Sequence, residues 1–194
     1  MGRWARGRDW TTAVSIHANR WVSMDPAEIP SHIRVYPTPI PDSAFVASGA
    51  RVIGDVRLGT DSSIWYNAVV RGDINHIEVG ARSNVQDGCI VHVTNAQPCV
   101  VGADVTVGHG VNLHACTVED GCLIGMGAIV LSGAHIGRGS VVGAGAVVRE
   151  DAVIEPFNLV VGVPARPVRT LPESTYQTHC NWAQKYVHLC LLYT

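Results

Sequence analysis

The chain has 194 residues, with Lys+Arg 14 against Asp+Glu 16, and it is 47% hydrophobic, 15% charged and 6% aromatic. A net charge of −2 leaves no basic footprint for nucleic acid, and no apolar run approaches the ~18 residues of a membrane span. Composition also excludes collagen, coiled coil and disorder; with Phe 2 and Gly 20, one compact domain built of many small aliphatic layers is expected.

In chain order, residues 1–39 read as a partly extended N-terminal arm. Its first 23 residues carry Arg3, Arg6, Arg8 and Arg20 against Asp9. That bias has a faint likeness to an organelle transit peptide and fits equally an upstream extension before a second start at Met24. Six cysteines show no CxxC pair and follow no secretory signal, so reduced, mostly buried thiols and a cytoplasmic location are expected.

Residues 40–164 repeat with a period of six. Aliphatic residues fall at Ile40, Val46, Val52, Leu58, Ile64 and Val70, resume after a slip at Val79, Val85 and Val91, and again at Val101, Val107 and Leu113. A last series runs Val118, Ile124, Val130, Ile136, Val142, Val148 and Ile154. Four residues after each, the side chain is usually small, as at Ala44, Ser62, Ala128 and Ser140. Neither a helix nor a plain strand keeps that phase, so each unit is a short strand plus a bend. Such hexapeptides mark a parallel β-helix, three units making a triangular coil of about 18 residues with the aliphatic positions inward. Residues 165–194 differ: Tyr176, Cys180, Ala183, Val187 and Cys190 share one helical face, and Pro172 suits a first turn, predicting a C-terminal α-helix along one flat face of the prism.

Three histidines fall where the phase slips. His92 follows inward Val91 and His114 follows inward Leu113, so both point outward. The units at Val101 and Val107, plus extra residues in the Thr94 to Val100 turn, make one complete coil between them. The pair therefore stands on one face of adjacent rungs, within reach of a single ion. His109 lies around a corner, where side-by-side packing into a cyclic trimer would bring it to the pair of another chain. Three histidines and an open position suit catalytic zinc. Arg71, Asp73, Asn84, Gln86 and Asp87 lie just ahead of His92 without a packing need; Arg71 with Asp73 or Asp87 reads as a bridge between subunits, and Gln86 as a group orienting the reacting water. The remaining histidines read as structural or solvent-exposed.

The run VIGDVRLGTDSSIWYNAVVRGDINHIEVGARSNVQDGCIVHVT, followed by VTVGHGVNLHACTVEDGCLIGMGAIVLSGAHIGRGSVVGAGAVV and GVPARPVR, resembles the γ-class carbonic anhydrase family over about Ile40 to Arg169. The resemblance implies a left-handed β-helix homotrimer with a C-terminal helix. It implies a metal at the subunit interface, zinc (Zn2+) or in some members iron (Fe2+) or cobalt (Co2+), held by His92 and His114 of one chain and His109 of the next. It also implies that Arg71 and Asp73 are interface residues, that Gln86 positions a metal-bound hydroxide, and that Asn84 and Asp87 are its hydrogen-bonded neighbours. The reaction implied is interconversion of CO2 and bicarbonate. Two departures stand out. Ile74 follows Asp73 where the archetypal enzymes carry Glu, and the loop Thr94–Cys99 has no acid to relay protons. Both features are similar to a short-loop branch that includes weak or inactive anhydrases. A metal-dependent thioesterase, a scaffold subunit with a vestigial site and a metal-free hexapeptide acyltransferase stay open as alternatives, since fold does not choose among them.

Overall fold

The computed structural model describes residue 33 and residues 38–193, so most of the arm expected over residues 1–39, with its four arginines and Met24, lies outside the described residues. From Phe45 onward the chain winds as a left-handed parallel β-helix with three flat faces. The first face stacks Phe45–Val46, Ser63–Ile64, Asn84–Val85, Thr106–Val107, Leu123–Ile124, Val141–Val142 and Asn158–Val161, and Arg166–Thr170 closes it antiparallel. The second stacks Ile90–His92, Asn112–His114, Ile129–Val130 and Val147–Val148; the third stacks Cys99–Val101, Thr117–Val118, His135–Ile136 and Val153–Ile154. Two long strands, Arg51–Leu58 and Val69–Val79, run around the corner between the second and third faces.

The six-residue period becomes three vertical columns of core side chains. Ile64, Val85, Val107, Ile124, Val142 and Val160 are successive register partners on the first face. Val52, Val70, Val91, Leu113, Val130 and Val148 are partners on the second, and Leu58, Val79, Val101, Val118, Ile136 and Ile154 on the third. Most of these are fully buried, each worth about 1.5–3 kcal/mol. The ends of the repeat differ from the sequence reading. Ile40 is exposed, since no coil among the described residues lies beneath it, and Val160 continues the first column one unit past Ile154.

All three phase slips stack at the corner between the second and third faces: Val70 to Val79, Val91 to Val101, and Leu113 to Val118. The first two add residues there. The third removes one, and Ala115 closes that tight turn at φ 48°, a left-handed conformation that strains a residue with a Cβ by about 1 kcal/mol or more.

The C-terminal helix, α1, spans Ser174–Tyr193 and lies on the first face against Ser63–Ile64 and Thr106–Val107. Pro172 precedes the helix instead of sitting in its first turn; its carbonyl accepts from Thr175 N at 2.9 Å. The buried seam is His179, Ala183 and Cys190, so the helix is rotated slightly from the expected face and His179 replaces Cys180 in it. The cysteines are free thiols, and all but the partly covered Cys180 are buried.

Candidate metal centre

His92 and His114 are direct register partners on the second face, with Arg71 one rung below. His92 Nδ1 and His114 Nε2 approach to 3.3 Å. Each ring is anchored at its other nitrogen: His92 Nε2 lies 3.0 Å from Asp73 Oδ1, and His114 Nδ1 lies 2.8 Å from Ser132 Oγ. Asp73 also binds Arg71. Burial pushes the Asp73 carboxyl up, but the hydrogen bonds from His92 and Arg71 outweigh it and leave the group below its ordinary range. Burial, with the charges of His92 and Arg71, pushes His114 down and favours its neutral, ligand-competent form.

The remaining candidates stand elsewhere. Asn84 and Gln86 lie on the first face, fully or almost fully buried, with Gln86 Nε2 donating to Asn84 Oδ1 at 3.0 Å and Asn84 Nδ2 to Thr106 Oγ1 at 3.1 Å. Asp87 occupies the corner between the first and second faces. It accepts from Tyr66 N and lies 2.8 Å from His109 Nδ1, one rung up in the same corner. Within the protomer, then, Arg71 pairs with Asp73 and not with Asp87, and His109 makes no contact with the His92/His114 pair. Among the described residues no group of three or more His, Cys, Asp or Glu side chains in one chain is arranged to hold a metal.

Other histidines have structural partners: His135 with Glu119 at 2.8 Å, and His179 with the Gly121 carbonyl at 2.7 Å. His17 and His32 lie outside the described residues.

Two groups were not found from the sequence. Tyr186 on α1 faces Gln86 closely enough for the amide to favour its ionised form, and packs edge-on against Trp65, with ring centroids 5.5 Å apart. No repeat rule links a residue on the helix to one on the prism, so that contact had no signal. Ser132 does have one: it is the second residue after inward Val130, the register partner of Leu113.

Comparison with known proteins now decides the family. A protein of Methanocaldococcus jannaschii named Probable carbonic anhydrase is 54% identical over 144 residues, which is 74% of this chain and 91% of that protein. The chain belongs to the γ-class carbonic anhydrase family. A Geobacillus kaustophilus carbonic anhydrase is 42% identical over 75% of this chain and 80% of its own. Gamma carbonic anhydrase 1, mitochondrial, of Arabidopsis thaliana is 50% identical over 45% of this chain and 34% of its own. Residues 115–150 match the bacterial transferase hexapeptide (six repeats) family. Among solved structures, a Bacillus cereus protein named for an acetyltransferase superposes with a TM-score of 0.76 at 41% identity, over 79% of this chain and 89% of that one. No helix among the described residues of this γ-class member is long and apolar enough to cross a membrane.

Proposed function

We propose that three copies of this chain close into a ring, that His109 of each copy completes the His92/His114 pair of the next, and that the assembly interconverts CO2 and bicarbonate on a divalent ion, zinc first, with iron or cobalt as alternatives. The observation that carries this reading is the 3.3 Å approach of His92 Nδ1 to His114 Nε2, with both opposite nitrogens anchored. Two nitrogens each about 2.05 Å from one tetrahedral ion stand about 3.3 Å apart. A carboxylate behind one ligand ring and a hydroxyl behind the other are what fix ring orientation in such sites. Half-exposed apolar residues flank both halves, Ile90 beside the histidine pair and Met126 above His109, as expected of surfaces that another copy covers.

An ion bound there supplies Lewis acidity and brings the ionisation of water near neutral pH. The chain's own groups do the rest. Arg71 keeps Asp73 ionised, and Asp73 keeps the His92 ring turned toward His114. Gln86, held by its hydrogen bond to Asn84, presents a fixed amide for orienting water at the junction of two subunits. An acyltransferase would need one histidine poised as a base; here both rings are restrained and aimed at a common point, which favours the ligand role. The test is metal content of protein purified without a nickel column, measured beside CO2 hydration. Stoichiometric zinc with hydration is expected; zinc without hydration moves the assignment to a thioesterase or scaffold, and no metal moves it to an acyltransferase.

A further inference from the structure

Hydration of CO2 releases a proton, and the Thr94–Cys99 loop beside His92 has no acid to carry it away. The coil brings one from higher on the same side of the prism. Ser132, bonded to the His114 ring, is the second residue after inward Val130. Glu150 is the second residue after inward Val148, the register partner of Val130, so Glu150 stands one rung above Ser132, about 4.8 Å along the prism axis. The backbone continues the stack, with Asp151 N donating to the Ser132 carbonyl at 3.0 Å. His114, Ser132 and Glu150 thus form an ascending series on three consecutive rungs.

The other carboxylates of the region are engaged, Asp73 with Arg71 and His92, and Asp87 with Tyr66 N and His109. Glu150 is exposed, has no hydrogen bond or ion pair among the described residues, and acts on His114 through its charge, opposing the effect of burial there. Arg149 and Asp151 flank it in sequence.

We propose that Glu150 accepts the proton released at the His92/His114 site, across water spanning Ser132, and hands it to solvent; this rests on the anhydrase reading above. The balance is simple. CO2 and water give bicarbonate and a proton, the carboxylate becomes a carboxylic acid, and a buffer base deprotonates it again. An external base whose proton affinity matches that of the donor, such as imidazole, will compete well with this carboxylate.

The experiment compares full-length, zinc-loaded wild type with Glu150→Gln and Glu150→Asp, following CO2 hydration in dilute and in concentrated imidazole buffer, with zinc stoichiometry and native mass measured on each. In dilute buffer, Glu150→Gln is expected to lower kcat by about tenfold or more with kcat/KM unchanged. Imidazole should restore kcat, Glu150→Asp should retain part of it, and zinc content and mass should not move. Equal kcat in wild type and Glu150→Gln at every buffer concentration would overturn the inference while leaving the anhydrase reading intact. A joint fall of kcat and kcat/KM with loss of zinc would also overturn it, showing that Glu150 supports the ligands. A wild type that hydrates no CO2 in any buffer removes the anhydrase reading and this inference with it.

Discussion

The second face and the first face of the prism hold two different kinds of half-site. On the second, Arg71, Asp73, His92 and His114 are linked in one charged network whose outcome is a pair of nitrogens at 3.3 Å. On the first, Asn84 and Gln86 form a neutral, buried amide chain roofed by α1, and His109 stands beyond it at the corner with Asp87. In the proposed reading, one half holds a cation and the other orients a neutral molecule. Because they lie on different faces of the same prism, one chain does not bring them together, and a second copy set face against corner would.

The strongest way to break that comparison is to disable one half in each of two chains. His92→Ala and His109→Ala homotrimers should each be inactive, since every interface lacks a ligand. In trimers assembled at random from equal amounts, about three quarters contain both variants, and each of these has one whole interface of three, so about a quarter of sites should recover. Recovery near that fraction, read as hydration activity and zinc content of the mixed trimers, establishes the shared site. No recovery in mixed trimers confirmed by mass places all ligands in one chain.

Smaller changes should separate the halves by what they disturb. Asp73→Asn removes the carboxylate behind His92 and should weaken zinc binding by about 10–100-fold, measured by competition with a chelating dye. Tyr186→Phe removes the hydroxyl that faces Gln86, an interaction worth about 1 kcal/mol, and should lower kcat by about fivefold with zinc affinity unchanged. If Tyr186→Phe lost zinc, or Asp73→Asn kept it, the division of labour between the faces would be wrong.

How much of this was legible depended on whether a residue belonged to the repeat. The columns of Val, Ile and Leu were readable because inward positions recur every six residues, and the adjacency of His92 and His114 followed from counting residues around one coil. The same count carried further, from Val130 to Ser132 and from Val148 to Glu150, reaches the groups stacked above His114, which reading the loop after His92 alone passes over. The ends were less legible: Ile40 keeps the phase but has no rung beneath it among the described residues, and Val160 follows the last counted unit. Tyr186 was out of reach, since its contact with Gln86 depends on how a helix outside the repeat docks. That docking also decided against Cys180, because the seam turns far enough to bury His179 beneath it.

His179 gives the last and smallest test, one that acts on the first-face half-site through its roof. The ring is 3% exposed and lies 2.7 Å from the Gly121 carbonyl through Nδ1, which fixes the proton on that nitrogen and leaves Nε2 within the seam. Burial pushes its pKa down, against the upward pull of the Gly121 carbonyl. A folded value below the unfolded one, ~6.5, means that the unfolded chain takes up a proton first as pH falls. The contribution of this ring is therefore constant above that value and is progressively lost from ~6.5 down to the lowered folded value. His179→Gln, which keeps a donor and does not titrate, should flatten the fall of melting temperature across that window. His179→Ala should cost about 1–3 kcal/mol above that window by leaving the Gly121 carbonyl unpaired, and less within it, where the wild type has itself lost part of the ring's contribution. An unchanged acid slope in His179→Gln would mean that the helix seam does not set the pH response and that the carboxylates around Asp73 and Glu119 do.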